Sequence, residues 1–172
     1  KNNVDIRFAM CFPDVYEIGM SNLGMIILYN MFNEREDVWA ERVFSPWLDL
    51  DKIMREKNIP LFALESQEPV KDFDFLGITL GYEMCYTNVL QVLDLSHISL
   101  LTKDREEDDP IVIGGGACAY NPEPIAEFFD MFYIGEGETV YDALFDVYKA
   151  TKAAGGSRKD SLFAASKIPG IY

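Results

Sequence analysis

Six short, mostly apolar segments recur along this chain and alternate with helical patterns. The segments are residues 6–12, 39–45, 60–65, 74–80, 111–115 and 131–135, and Pro, Gly, Asp or Asn residues bound them. Continuous apolar runs of this length are typical of strands that are buried on both faces of a parallel sheet. Strands that alternate with helices form βαβ units. We therefore predict a doubly wound α/β domain, with a mostly parallel sheet of five to six strands and helices on both faces.

The segments between the predicted strands carry apolar residues every three to four positions, as on the buried face of a helix. These helical patterns lie around Leu23–Met31, 49–57, Val89–Leu93 and Val140–Tyr148, and a further helix is predicted to begin at Pro124. Polar residues that favour the N-cap position precede three of them, namely Ser21 or Asn22, Thr87 and Thr139. Residues 103–109 form a charge run that is predicted to be a solvated loop, and the helix near 150 is predicted to end at Gly155-Gly156.

Composition excludes several classes of protein. The formal net charge of −14 would repel a phosphate backbone, so nucleic-acid binding is not expected. The apolar runs are too short to span a bilayer, and the N-terminus has no signal-peptide pattern. We expect a cytoplasmic protein that has no membrane partner.

The three cysteines do not indicate a disulfide framework. Cys11, Cys85 and Cys118 are odd in number and far apart in sequence, which is typical of reduced, structural thiols. Their spacing also argues against an iron-sulfur cluster within this chain, since such a cluster needs several converging thiolates.

Functional residues are expected in the loops that follow the strands. In a doubly wound sheet, ligands bind beyond the carboxyl ends of the strands, where the strand order reverses. The loops to search are therefore residues 13–22, 81–86, 114–122 and 135–138.

The first of these loops carries a motif that points to a family. Residues 14–19 read Asp-Val-Tyr-Glu-Ile-Gly. This spacing resembles the Asp-x-His-x-x-Gly signature of cobalamin-binding domains, with Tyr16 where the cobalt-ligating histidine would stand. Gly77-Ile78-Thr79 and the glycines at 114–116 fall where those domains carry a small hydroxyl and a pair of glycines.

The second half of the chain is similar to the cobalamin-binding-type domains that precede radical S-adenosylmethionine barrels. The similar features are an apolar run at 111–113, the glycines at 114–116, Asn-Pro-Glu-Pro at 121–124, a second apolar run at 131–134 and Gly-Glu-Gly-Glu-Thr at 135–139. The resemblance extends from about residue 4 to residue 172. It implies a single domain over 1–172, within which 157–172 would begin the connection to a barrel that carries the Cys-x-x-x-Cys-x-x-Cys motif.

The resemblance also implies a set of cofactor-binding residues. These are Asp14, Tyr16, Glu17, Gly19, Thr79, Tyr82, Gly114, Gly115, Gly116, Glu136 and Gly137. The implied cofactor is cobalamin. It would lack a histidine ligand, because Tyr16 stands at the expected position and a phenol binds cobalt poorly. The only histidine, His97, is interpreted as a structural residue. A 4Fe-4S cluster and S-adenosylmethionine are expected only in the barrel, which would be the partner of this domain and would carry the chemistry of the full-length enzyme.

Alternatives remain open at this point. Glycines 114–116 would also suit a tight turn at the end of a strand. Glu136 and Glu138 would also stabilise the start of the last helix through its dipole. The domain as a whole could be a cofactor-free structural or substrate-guiding lid on the barrel. A flavin or phosphoryl-receiver module fits less well, since the chain lacks a suitably placed Asp and Lys pair on later strands and a hydroxyl-rich phosphate loop.

Overall fold

A five-stranded parallel sheet forms the centre of the protein. The computed structural model describes residues 4–172. Within that range the strands are β1 (Ile6–Phe12), β2 (Val38–Phe44), β3 (Phe75–Thr79), β4 (Ile111–Gly115) and β5 (Met131–Phe132). Their order is β2-β1-β3-β4-β5, and every neighbouring pair is parallel. The predicted doubly wound α/β fold is confirmed, and its strand order reverses between β1 and β3.

Helices cover both faces of this sheet. They are α1 (Tyr16–Gly19), α2 (Leu23–Glu34), α3 (Leu48–Lys57), α4 (Tyr86–Leu95), α5 (Tyr141–Ala153) and α6 (Arg158–Ala165). In the part of the chain that the structure describes, none of these helices is long and apolar enough to cross a membrane.

One face of the sheet packs against α3 and α4. Leu76 of β3 is fully buried there with Met54 of α3 and Val92 of α4. Because successive strand residues point to opposite faces, the residue before Leu76 points the other way. We call the side on which Leu76 lies the α3/α4 face.

The opposite face packs against α2, α5 and α6, and we call it the α2/α5 face. Its centre is an aromatic cluster in which the ring of Phe8 lies 4.9 Å from that of Phe32 and 5.7 Å from that of Phe75, centroid to centroid. Phe145 of α5 completes the cluster, and Ala165 of α6 is buried beside it. Aromatic pairs in such offset and edge-to-face geometry stabilise a core beyond the area they bury.

The predicted strand at 60–65 is wrong. These residues form a compact turn that packs against the α3/α4 face, and Leu61 and Ala63 are buried in that core. Their backbone amides donate to Leu95 and Glu68, while the amide of Leu64 donates to Arg42 at the open edge of β2. The segment's pairing is thus limited to one isolated antiparallel bridge, from Phe62 to Pro69, outside the main sheet, and periodicity could not distinguish this from a full strand.

The segment after α5 is more ordered than a simple connection. Ser157 caps α6 in a capping box with Asp160, since each side chain accepts a hydrogen bond from the other residue's backbone amide. Further on, Ile171 lies antiparallel to Tyr133, and Phe132 and Tyr172 exchange two backbone hydrogen bonds of 2.8 Å. Residues 157–172 thus pack against the sheet and extend its β5 edge.

The charge run at 103–109 is only partly a solvated loop. The side chain of Arg105 is fully buried and that of Asp109 is 4% exposed. Arg105 binds Asp130 at 2.8 Å, and Arg158 of α6 binds the same carboxylate oxygen at 2.6 Å. The sequence around Asp130 does not indicate this pairing, because its partners lie 25 and 28 residues away.

The predicted caps are confirmed for one helix only. The Asn22 side chain accepts a hydrogen bond from the amide of Met25 at 2.9 Å at the start of α2. Thr87 lies inside α4, which begins at Tyr86, and Thr139 instead donates to the carbonyl of Glu136. Pro124 lies in a 3-10 turn, Glu123–Phe128, and not in an α-helix.

Replacing Asn22 by alanine is expected to lower the free energy of unfolding by about 1 kcal/mol, because α2 loses the acceptor for one of its free amides. Thr87→Ala is the matched control and should change stability by less than about 0.5 kcal/mol, since Thr87 caps nothing. Urea unfolding followed by circular dichroism measures both. Equal losses in the two variants would contradict the assignment of the cap.

Candidate functional site

The loops predicted to carry function meet at the carboxyl edge of the sheet. Residues after β1, β3, β4 and β5 surround the crevice between β1 and β3. At this point the connection after β1 leads toward one edge of the sheet and the connection after β3 leads toward the other. Three cavities lie at this edge among the described residues, one beneath it on the α2/α5 face, one beside β2 and one between Asp14 and α4.

The cavity on the α2/α5 face measures about 230 Å³ and is lined by glycines together with apolar and aromatic side chains. Of the chain's 12 glycines, half line it, which removes side chains from its walls. They are Gly24, Gly77, Gly115, Gly116, Gly135 and Gly137. The floor is formed by Phe8, Met10 and Met25, and the walls combine glycine backbone with apolar and aromatic side chains. We call this the glycine cavity.

The three consecutive glycines have different roles. A Cβ atom added to Gly115 would meet nothing within 4 Å, so this residue leaves open space in the glycine cavity. Gly114 points to the α3/α4 face, where an added Cβ would lie 2.7 Å from the ring of Phe132. Gly116 has φ of 103° and an added Cβ would lie 2.9 Å from the carbonyl oxygen of Leu80. Gly116 therefore holds the turn and Gly114 allows close packing, while Gly115 leaves room for a ligand.

Asp14 and Tyr82 meet across the crevice. The hydroxyl of Tyr82 donates a hydrogen bond of 2.5 Å to the Oδ2 atom of Asp14. This hydrogen bond, followed by burial and by the negative charge of Asp14, raises the pKa of Tyr82 to about 12. Tyr82 is therefore a neutral phenol at physiological pH, and the pair bridges the loops after β1 and β3.

Tyr16 is directed elsewhere. Its ring packs edge-on against Phe44, with 5.2 Å between the centroids, and it lines the second cavity, of about 360 Å³, beside the end of β2. Glu17 lines the same second cavity. Gly19 is buried, and an added Cβ would lie 2.7 Å from the rings of Phe12 and Phe44. The loop after β1 thus brings Asp14 to the crevice and directs Tyr16 and Glu17 toward β2.

Glu136 and Glu138 lie on the rim of the glycine cavity, next to Gly137. They are not in the first turn of a helix, because α5 begins only at Tyr141, after a separate 3-10 turn, Gly137–Thr139. The backbone carbonyl of Glu136 accepts a hydrogen bond of 3.1 Å from Tyr133, which fixes this loop against β5. Both carboxylates are exposed and would face the rim of a bound ligand.

Thr79 is the remaining predicted residue of the site. It ends β3 and lines the glycine cavity on the same side as Gly77 and Gly115. Asn22, Gly24 and Gly135 also line the cavity and were not predicted. Their only signal in the sequence is their place, with Asn22 and Gly24 at the start of α2 and Gly135 in the loop after β5.

The thiol groups do not form a metal centre in this chain. Cys11, Cys85 and Cys118 all contact the α3/α4 core, and burial raises the pKa of each. Cys11 and Cys85 are buried and Cys118 is partly buried, which fits structural thiols. No group of three potential metal-ligating side chains is present among residues 4–172.

His97 also lies away from the site. It follows α4 at the opposite edge of the sheet, and its carbonyl accepts a hydrogen bond of 3.3 Å from Lys71. It cannot supply the imidazole that Tyr16 replaces in the first loop.

Comparison with known proteins identifies the family of this chain. The family model for the N-terminal region of radical S-adenosylmethionine proteins matches residues 24–172. The chain therefore belongs to that family. A protein of Methanocaldococcus jannaschii, uncharacterized protein MJ0966, is 30% identical over 133 residues, which are 76% of this chain and 24% of that protein. No solved structure matches the chain.

Proposed function

We propose that this domain binds a corrinoid at its carboxyl edge and presents it to the catalytic domain of a radical S-adenosylmethionine protein. The observation that carries the proposal is the glycine cavity, which lies where the resemblance to cobalamin-binding domains implies a ligand. Gly77, Thr79 and Gly115, from the corresponding motifs, all line it.

The size and lining of the glycine cavity suit a flat aromatic group. An apolar protein cavity of about 150 Å³ is large enough to bind benzene. A cavity of about 230 Å³ with an apolar floor therefore admits a larger ring, such as the nucleotide base of cobalamin. The macrocycle would then lie above the carboxyl edge.

Three apolar side chains are exposed at the carboxyl edge. Leu23, Met84 and Tyr120 belong to three different parts of this edge and are 68%, 85% and 72% exposed. Exposed apolar side chains that gather around a binding site are typical of surfaces that bind a ligand or another domain. A corrin ring and the catalytic domain would together cover such a surface.

Charge favours a corrinoid over a phosphate-rich cofactor. Glu136 and Glu138 on the cavity rim can accept hydrogen bonds from neutral amides, which surround a corrin ring, but they would repel several phosphates. The N-terminus of α2, the other polar element of the rim, is already capped by Asn22. These features argue against a flavin nucleotide.

When bound, the corrinoid would supply a carrier for a methyl group or modulate the radical step. The chain's own residues would hold the base in the glycine cavity and support the macrocycle at the carboxyl edge. The cluster and S-adenosylmethionine would belong to the catalytic domain.

Substituting Gly115 by valine is expected to weaken corrinoid binding at least about tenfold, which corresponds to roughly 1.4 kcal/mol, because the new side chain occupies the glycine cavity. Stability should be almost unchanged, since the added Cβ has open space. The measurement is a visible-absorbance titration with hydroxocobalamin and methylcobalamin, together with a urea unfolding curve.

Gly81→Val is the matched control. An added Cβ at Gly81 also meets nothing within 4 Å, but Gly81 does not line the glycine cavity. It should bind like the wild type. If the wild-type chain retains neither corrinoid, the proposal is wrong and a cofactor-free lid becomes the better interpretation. Equal binding by both variants would show that the glycine cavity is not the site.

A further inference from the structure

The hydrogen bond between Tyr82 and Asp14 fixes one polar group at the mouth of the crevice. Asp14 lies two residues after β1 and Tyr82 lies three residues after β3, so the bond joins the two loops that diverge at the point of strand reversal. Tyr82 remains 40% exposed, which leaves it accessible to a ligand above the sheet.

Asp14 is held in place independently of Tyr82. Its other carboxylate oxygen accepts a hydrogen bond of 2.8 Å from the amide of Val15. Its backbone carbonyl accepts one of 2.9 Å from Ser45, and its amide donates one of 2.8 Å to Phe12. Both carboxylate oxygens and both backbone groups of Asp14 are therefore engaged, and a ligand would not easily displace it.

This arrangement determines how Tyr82 can interact with a ligand. A phenol has one proton to donate, and here that proton is donated to Asp14. The remaining lone pair of the phenol oxygen can only accept a hydrogen bond. A carboxylate behind the donated proton polarises the hydroxyl and makes its oxygen a stronger acceptor.

Tyr16 offers no such group at the crevice. It stands at the position of the histidine in the resembling motif, but its ring packs against Phe44 and lines the cavity beside β2. The structure thus distinguishes Tyr16 from Tyr82, although the resemblance implied both as site residues.

We propose that the Asp14–Tyr82 pair, and not Tyr16, is the polar group of the crevice that recognises the bound corrinoid, by accepting a hydrogen bond from a ligand N–H or O–H group. The inference rests on the proposed function. The donor is either a side-chain amide of the corrin ring or a water molecule bound to cobalt, and both present the same chemistry to the phenol oxygen. Tyr82 is a positioning residue in this proposal and ligates no metal.

The test compares Tyr82→Phe with Tyr16→Phe, which are the same change at the two sites. Tyr82→Phe should weaken binding of hydroxocobalamin about tenfold, the loss expected for one hydrogen bond, and Tyr16→Phe should stay within about twofold of the wild type. Repeating the titration with dicyanocobalamin, which has no bound water, identifies the donor. An amide donor gives the same loss with both corrinoids, and a water donor gives the loss with hydroxocobalamin alone.

A nuclear magnetic resonance experiment with ¹³Cζ-labelled tyrosine gives a readout that does not depend on affinity. Tyr82→Phe assigns one of the nine tyrosine signals, and that signal should move in Asp14→Asn without ligand. In the wild type it should also move when hydroxocobalamin is added, while the Tyr16 signal should not.

The outcomes separate this inference from the proposed function. A wild-type chain that binds the corrinoid, with Tyr82→Phe within about twofold of it, overturns the role of the pair and leaves corrinoid binding intact. A shift of the Tyr16 signal alone does the same. Failure of the wild type to bind any corrinoid overturns both proposals.

Discussion

Asp130→Ala is expected to lower the free energy of unfolding by about 3–5 kcal/mol, the usual cost of removing one partner from a buried ion pair. Asp130 is 1% exposed and binds both Arg105, which is fully buried, and Arg158, which is 9% exposed. Its Oδ2 atom also accepts a hydrogen bond of 2.7 Å from the amide of Val112 in β4. The variant would leave two largely buried guanidinium groups without the carboxylate that they share.

The electrostatics of Arg105 explain why the loss should be large. Burial lowers the pKa of Arg105, and the charge and hydrogen bond of Asp130 oppose that effect. A domain of this kind is stable by only about 5–15 kcal/mol, so the variant would lose a large part of its margin. Guanidinium unfolding followed by circular dichroism measures the change.

Asp142→Ala is the matched control for Asp130→Ala. Asp142 is 79% exposed and binds Arg35, which keeps its contact with Asp37 after the substitution. Exposed ion pairs contribute about 0–1 kcal/mol, so Asp142→Ala should have little effect. A similar loss in both variants would show that burial of the Asp130 cluster does not determine its contribution.

Much of the fold could be predicted from the sequence, because strands buried on both faces leave continuous apolar runs. The run at 111–115 coincides with β4, and those at 6–12 and 74–80 coincide with or contain β1 and β3. The turn at 60–65 carries the same signal because Leu61 and Ala63 are also buried. The apolar pattern indicates that a segment is buried. It does not indicate strand pairing, because pairing depends on neighbours that are distant in sequence.

Helix α6 is an element that the apolar pattern did not predict. Its first half is polar, and it is stabilised by long-range contacts such as the bond from Arg158 to Asp130. The cue that could have found it is Ser157 three residues before Asp160, a capping pattern. The glycines at 155 and 156 instead favoured the interpretation of this region as a connection.

The candidate site could be predicted as a set of loops but not as a set of side-chain directions. Parallel topology brings the ends of β1, β3 and β4 together, which the sequence implies once the fold is known. Whether Tyr16 or Tyr82 faces the crevice depends on the path of the loop after β1. That path is set by the burial of Gly19 against Phe12 and Phe44, a contact with β2 that no local pattern encodes.

The two edges of the sheet differ in how they are filled. At the amino edge, Asp130 and Arg105 join loops and α6 through buried charges. At the carboxyl edge, glycines replace side chains and leave the glycine cavity open. The α2/α5 core connects the two edges, and Phe8 belongs both to that core and to the floor of the cavity.

Phe8→Ala should therefore destabilise the protein by about 3–5 kcal/mol, as is typical when a buried phenylalanine is truncated. Phe8 is 1% exposed and packs against the rings of Phe32, Phe75, Tyr141 and Phe145. An added Cβ at Gly77 would lie 2.5 Å from the Phe8 ring, so the backbone of β3 is in close contact with it and cannot easily move to fill the space. Urea unfolding gives the free-energy change.

Phe163→Ala is the control for Phe8→Ala, because Phe163 is 66% exposed on α6 and has Lys167 over its ring at 4.2 Å. An exposed contact of this kind contributes about 0.5–1 kcal/mol, so the loss should be small. Saturating hydroxocobalamin should raise the stability of any variant that still binds it, through mass action. If Phe8→Ala lost no more stability than Phe163→Ala, the aromatic cluster would not be the centre of the core. If it lost stability but bound corrinoid normally, the floor of the glycine cavity would not contribute to binding.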